Sequence, residues 1–274
     1  MTNKKIEIFG LDFWSAFGEK LVQYMELKPG TRVLDVGTGG GSCLIPAAKT
    51  IGSSGYAIGI DRWENRITET LENIKSNLLS NATAEIMDAR ELIYDDKTFD
   101  YVLCGFIGFG DVFDFQGHKY RNENDKMMHI LRVLKDGGKA GFSTWESQGE
   151  LDYLRKLLQD YLKNHTSKSQ EEIKNVPISY SKETKNGFEK ILQDVGFNEI
   201  DVFSENFTIR YENFDEWFGV MKRSGWILRE ILGKDELAIN DFREKMLPHG
   251  IETFKQKNGS YQFKKSVIFA FGTK

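Results

Sequence analysis

The residues best suited to chemistry lie in the run Val33-Leu-Asp-Val-Gly-Thr-Gly-Gly-Gly41 and in two acids downstream of it. Glycines at 37, 39 and 41 let the backbone turn sharply and approach a ligand, and the turn opens into a helix whose first amides are free. A nucleotide-type cofactor suits such a turn, and a purely structural turn is the competing reading. Asp61 ends the apolar run Tyr56-Ala-Ile-Gly-Ile60, so its carboxylate stands at the tip of a second strand, where it can accept both hydroxyls of a ribose. It could equally cap the helix that begins near Glu64. Asp88 and Ala89 stand at the tip of a third strand, an acid and a backbone amide able to read an adenine edge. NAD fits poorly, because the sixth position of its Gly-x-Gly-x-x-Gly fingerprint is Ser42 and an acid, Asp35, sits two places before the first glycine.

Acid–base groups gather in the segment Gly105 to Asn124, which holds Asp111, Asp114, His118 and Tyr120. His118 and Tyr120 are the candidate catalytic residues, His118 because an imidazole titrates near neutrality. A solvent-facing loop is the alternative for His118, and packing or surface roles suit His129 and His249. Cys43 and Cys104 give neither a disulfide framework nor a paired metal spacing, so no metal is expected and a reducing compartment is.

These groups need a scaffold, and the hydrophobic pattern supplies one. Asp12 to Leu27 repeats apolar residues every three or four positions and predicts an amphipathic helix stopped by Lys28-Pro29-Gly30. Strands are predicted over Thr31–Val36, Tyr56–Ile60, Ala84–Met87, Phe99–Cys104 and Lys139–Thr144, and helices over Leu44–Ile51, Glu64–Leu79 and Asp125–Leu134. Strands alternating with helices imply crossover connections, a parallel sheet and helices on both faces. Beyond residue 145 come an amphipathic stretch Leu151–Leu162, a helix Lys182–Val195 with Gly196 at its C-cap, a strand Phe197–Phe203 and a last strand Tyr261–Phe271. Between those strands, Phe214 to Leu247 reads as helical with breaks near Gly225 and Gly233. So long an excursion is a helical insertion of the kind that covers a substrate site.

Composition narrows the class of function. Lys and Arg number 37 against 41 Asp and Glu, a net charge of −4, which lacks the basic excess of a dedicated nucleic-acid binder. No apolar run reaches signal-peptide or membrane-span length, so a cytoplasmic location is expected. Aromatic residues make up 13%, enough to fill a core and still line a ligand pocket.

The run Val33–Gly41, Asp61, Ala84-Glu-Ile-Met-Asp-Ala89, Phe99-Asp-Tyr-Val-Leu-Cys104 and Leu131-Arg-Val-Leu-Lys-Asp-Gly-Gly138 resemble, in order and spacing, the successive motifs of class I S-adenosylmethionine-dependent methyltransferases. The closest likeness is to the ubiquinone/menaquinone-biosynthesis branch of small-molecule enzymes. The resemblance implies an α/β fold: a Rossmann-like, doubly wound sheet of seven strands in the order 3-2-1-4-5-7-6, the last antiparallel, with a helical lid insertion. It implies a single domain over 1–274, with substrate-cover segments at about 1–28, 146–180 and 212–258. S-adenosyl-L-methionine would be the cofactor and S-adenosyl-L-homocysteine its product. Carried onto this sequence, Asp35, Gly37, Thr38 and Gly39 would hold the methionyl part, Asp61 the ribose, Arg62 or Trp63 the adenine face, and Asp88 and Ala89 its amino edge. Cys104 and Gly105 would stand beside the sulfonium. Cys104-Gly-Phe-Ile107 replaces the Asn-Pro-Pro-Tyr type of motif, which disfavours methylation of adenine or glutamine amino groups.

The expected activity is methyl transfer, by in-line displacement, to a small, partly apolar or aromatic metabolite. Its pocket would be lined by Phe13, Trp14, Phe106, Phe109, Trp217 and Trp226, from three aromatic segments converging over the strand tips. The protein would act as a monomer or homodimer without nucleic acid. A cofactor-binding scaffold or regulatory subunit, or another sulfonium chemistry on the same fold, are the alternatives.

Overall fold

The strand that carries the glycine turn is buried along Val33–Val36, as expected of a strand inside a parallel sheet with both faces covered. The computed structural model describes residues 6–9, 13–121, 123, 125–166, 169, 183–224, 232 and 235–274. In chain order the main elements are β1 (Ile6–Phe9), α1 (Phe13–Met25), β2 (Arg32–Val36), α2 (Leu44–Ile51), β3 (Tyr56–Asp61), α3 (Glu64–Ser76), β4 (Ala82–Ile86) and β5 (Phe99–Gly105). A hairpin of β6 (Phe113–Asp114) and β7 (Lys119–Tyr120) follows, then α4 (Asp125–Val133), β8 (Leu134–Gln148), α5 (Gly149–His165) and α6 (Lys185–Val195). The chain ends with β9 (Asn198–Tyr211), α7 (Phe214–Ser224), α8 (Glu236–Gly250) and β10 (Tyr261–Thr273).

Strand order is β4-β3-β2-β5-β8-β10-β9-β1. Numbering the seven strands from β2 onward and omitting the hairpin gives 3-2-1-4-5-7-6. The central pairs β2–β3, β2–β5, β3–β4 and β5–β8 are parallel. β10 runs antiparallel to β8: Lys274 exchanges backbone hydrogen bonds with Gly137 and Gly138 near the start of β8, while Lys265 reaches Gln148 at its end. The eighth strand was not expected. β1 pairs parallel with β9, from Ile6 opposite Phe207 to Phe9 opposite Arg210, and four residues are too few to show a period.

Two compact units share these strands: a larger one of Trp14–Glu146, Ser181–Glu205 and Val267–Lys274, and a smaller one of Met1–Phe13, Ser147–Tyr180 and Asn206–Ser266. β8, β9 and β10 each begin in one unit and end in the other. In the larger unit, Leu34, Val36, Val102, Cys104, Ala140 and Phe142 point to one face and pack with Met127 and Ile130 of α4 and Phe188 and Ile191 of α6. The alternate positions face α1 and α2: a Cβ on Gly141 would meet Met25, and one on Gly59 would meet Leu44. Thr184 caps α6 by accepting the Gly187 amide, and Gly196 ends the helix in the left-handed conformation its position predicted.

The smaller unit holds the insertion. Tyr161 of α5 donates a 2.7 Å hydrogen bond to Asp241 of α8 and packs its ring on Phe242. Trp217 of α7 stacks on Phe263 of β10 at 5.6 Å. The expected breaks at Gly225 and Gly233, and Trp226 between them, lie outside the described residues, as do 170–182.

Phe188 is 1% exposed and touches the rings of Phe109, Phe115 and Phe142. Phe188→Ala is expected to lower stability by about 3–5 kcal/mol, read by urea denaturation. A loss under about 1 kcal/mol would show that this ring cluster does not hold the α6 face of the sheet.

Candidate functional site

The glycine turn sits at the carboxyl end of β2, next to the strand-order switch between β2 and β5 where open α/β sheets bind ligands. Gly37 and Gly39 have φ of 71° and 56°, a region that disfavours any side chain. At Gly37 space forbids one too, since a Cβ would come within 2.2 Å of Ile107 Cγ2.

Each side of the turn is tied down. The Thr38 amide donates to Ile60 O at 2.8 Å and its hydroxyl to Asp35 Oδ2 at 2.7 Å. Asp61 accepts the Gly39 amide on one carboxylate oxygen and the Trp63 amide on the other, both at 3.1 Å. From α3, the Thr70 hydroxyl donates to Gly39 O and the Asn73 amide to Gly40 O. Trp63, not Asp61, occupies the N-cap position of α3. Asp61 therefore holds the turn, with lone pairs remaining on both oxygens for a diol.

Three carboxylates stand at the ends of three adjacent strands. Asp35 is 1% exposed, and burial pushes its carboxyl up to about 7, against hydrogen bonds from Thr38 and the Leu44 amide and with a further push from Asp61. Among the described residues it has no salt-bridge partner, so a cationic ligand group would remove a standing electrostatic cost. Asp88 lies below the usual carboxylate range, held there first by the Arg90 amide and then by its guanidinium and Arg62. Arg62 lies over the indole of Trp63 at 5.0 Å, and both side chains are exposed. Ala89 packs against the core beside Asp88. Carboxylates for a diol and a cation, an exposed ring beside an acid, and a glycine cradle match the chemistry of S-adenosylmethionine.

At the end of β5, Phe106 takes φ 58° and donates its amide to Ser143 O. Its ring meets Trp145 at 4.5 Å, Trp14 at 5.2 Å and Phe17 at 5.5 Å. Trp145 and Phe106 are half-buried, and Trp14 is 38% exposed. Sequence reasoning missed Trp145, one residue past the predicted strand, and Thr70 and Asn73. Polar residues at 66, 70 and 73 on one side of a helix were the available signal for those two.

Several expected roles need correction. Cys104 is fully buried in the core with its thiol pushed well up by burial, so only Gly105 reaches the open end of β5. Phe109 is core, packed on Phe142 and Phe188. His118 is exposed in the β6–β7 hairpin turn, and the Tyr120 hydroxyl donates to Asp194 near the carboxyl end of α6. That end of α6 feeds the start of β9, opposite the strand ends that carry the glycine turn. Buried Phe113 and Phe115 force this: they turn the hairpin into the α6 face. Phe13, beneath Lys265, and Trp217 belong to the smaller unit, while Trp14 and Phe106 share the larger one.

A family model described as a methyltransferase domain matches residues 27–196. An aklanonic acid methyltransferase, DauC, of Streptomyces sp. strain C5 is 37% identical over 35% of this chain and 44% of its own. A demethylmenaquinone methyltransferase of Bacillus cereus is 32% identical over 46% of this chain and 49% of its own. The chain thus spans about half the length of the curated relatives it matches. The YcgJ protein of Bacillus subtilis, a solved structure, superimposes with a TM-score of 0.57 over 94% of this chain and 98% of that one; at 16% identity this likeness shows the fold alone. With the family model covering more than half of its length, the chain belongs to the methyltransferase domain family.

Proposed function

We propose that this protein transfers a methyl group from S-adenosyl-L-methionine to a small, partly apolar or aromatic acceptor. The observation that carries the reading is the set of Asp35, Asp61 and Asp88 at three consecutive strand ends around the glycine turn, within a methyltransferase domain. When bound, the cofactor supplies an electrophilic methyl on a cationic sulfur. Asp61 holds the ribose hydroxyls, Asp88 and the Ala89 amide the adenine edge with Arg62 and Trp63 against its face, and Asp35 and the turn amides the methionyl end. The chain's contribution to the transfer step is chiefly alignment, because in-line displacement needs the acceptor atom on the sulfur–methyl axis and orientation entropy removed beforehand.

The partly exposed rings of Trp14, Phe106 and Trp145, backed by buried Phe17, support an apolar or aromatic acceptor, offering ring edges and faces at the end of β5. The two relatives, named for aklanonic acid and demethylmenaquinone, also act on small molecules. A net charge of −4 supports an acceptor other than nucleic acid, and two buried free cysteines support a reducing, cytoplasmic setting. Among the described residues no helix is long and apolar enough to cross a membrane.

Incubating the protein with methyl-labelled cofactor and a metabolite extract, followed by mass spectrometry, should yield a labelled small molecule. Cofactor binding without any labelled product would favour a scaffold instead. Asp61→Asn puts an amide N–H against the Gly39 or Trp63 N–H and removes a charge-assisted acceptor, at about 1.5–3 kcal/mol. Calorimetry should show a loss of about 10- to 150-fold in affinity for S-adenosylhomocysteine; an unchanged affinity contradicts the role given to Asp61.

Asp35 gives a pH signature. Its carboxyl is raised in the folded state, so the stability it confers is complete below about pH 4 and is lost as pH rises through about 7. Without cofactor, Asp35→Asn should gain on the wild type between pH 5 and pH 8, by about 2–3 kcal/mol. Cationic cofactor should bind the wild type more tightly over the same rise, and the variant without that trend. Equal differences in melting temperature at both pH values would place the Asp35 charge elsewhere.

A further inference from the structure

The cofactor-holding groups occupy the β2, β3 and β4 side of the crevice, which leaves the β5 and β8 side to the acceptor. There the chain places an acid that no cofactor role uses. Glu183, just before α6, is 6% exposed. One of its oxygens accepts the Phe109 amide, and the other is buried with no hydrogen-bond partner. The loop it grips is short and runs straight from β5. Ile107 lies against Gly37 of the cofactor turn, Gly108 takes φ 72° with Glu183 Oε1 3.7 Å from where its Cβ would be, and Phe109 makes the hydrogen bond. Thr144 of β8 flanks the same carboxyl.

A buried carboxylate oxygen without a partner is costly, so its retention beside a reaction crevice asks for a use. Burial raises this carboxyl above the usual glutamate range, with Asp111 adding to the rise and the Phe109 amide, Thr144 hydroxyl and Lys126 opposing it. Lys126 from α4 is itself bound to Asp111 and to Gly108 O. The facing groups, Glu183, Asp111 and Lys126, therefore sum to one negative charge when ionised, a setting hostile to an anionic acceptor.

We propose that Glu183 is the proton acceptor of the transfer, and that the methyl acceptor is an uncharged group bearing an acidic O–H, of the phenol or enol class. The acceptor oxygen bonds to the methyl carbon, the carbon–sulfur bond breaks with its electron pair passing to sulfur, and the O–H proton passes to the free oxygen of Glu183 and on to water. This assignment rests on the methyl-transfer reading above, and the test separates the two.

Glu183→Gln keeps the oxygen that accepts the Phe109 amide and the side-chain volume but cannot take a proton. Wild type and variant are compared with methyl-labelled cofactor and the same metabolite extract, and each is titrated calorimetrically with S-adenosylhomocysteine. The expected result is unchanged S-adenosylhomocysteine affinity with labelled product reduced at least about 100-fold. Carbon-13 NMR of glutamate-labelled protein without cofactor should show one carboxyl titrating above the ordinary range in the wild type and missing in the variant. A variant that keeps more than about a third of the product, or one that loses affinity and product together as a mere loop pin would, overturns the assignment. So does a wild-type spectrum without such a carboxyl. An inactive wild type that still binds S-adenosylhomocysteine overturns methyl transfer itself, a result distinct from an active wild type with an active variant.

Discussion

The grip of Asp61 on the Gly39 and Trp63 amides is the constraint on which the site depends. A turn with three glycines has high conformational entropy, and an isolated segment of that kind would sample many shapes. Fixing it from β3 makes the end of one strand define the ligand-facing shape of the loop that leaves its neighbour. Thr70 and Asn73 complete the hold by taking the outward carbonyls of Gly39 and Gly40. The turn is thus pre-organised by β3 and α3 rather than by its own sequence, and a cofactor meets a loop already ordered.

Charge placement follows from the same arrangement. Parallel strands bring Asp35 and Asp61 to neighbouring tips, and the register that pairs Val36 with Ile60 leaves Asp61 close enough to disfavour ionisation of Asp35. Such a pair is a poor stabilising device and a good receptor for a cation. Asp88 differs because Arg90 and Arg62 already balance it, which suits a hydrogen-bonding role toward a neutral ring edge.

How much of this was legible in the residues depends on the range of the forces involved. The order of the strands across the sheet was legible only through the family resemblance, but the succession of strands and helices, the turn at Gly37 and Gly39 and the place of Asp61 could be read because local pattern sets them: β-branched runs, glycines that take positive φ, and an acid at a strand tip. Gly196 was legible for the same reason. His118 and Tyr120 were not, since what removes them from the strand tips is the burial of Phe113 on Phe115 and of Phe115 on Phe188, the latter a contact across more than seventy residues. Phe109 likewise looked available as a pocket ring and is held in the core by partners distant in sequence. Glu183 had no local signal, because an acid before a helix reads as a solvated cap until its partner amide at Phe109 is known.

The segment after β5 links the glycine turn to the core, with Ile107 against Gly37 and Phe109 packed on Phe142. Phe106 is a bulky residue in the left-handed region, a conformation that costs on the order of 1–2 kcal/mol and persists only where the surroundings over-determine it. Here they do. Ser143 O holds its amide, Trp145, Trp14 and Phe17 hold its ring, Ile107 seats on Gly37, and Glu183 and Lys126 fix the next two residues. Strain of that order, held at Phe106 by four neighbours while three more fix the residues after it, marks a loop whose shape matters more than its stability. It lies between the glycine turn and a buried, half-satisfied carboxyl, so packing fixes its shape from both sides.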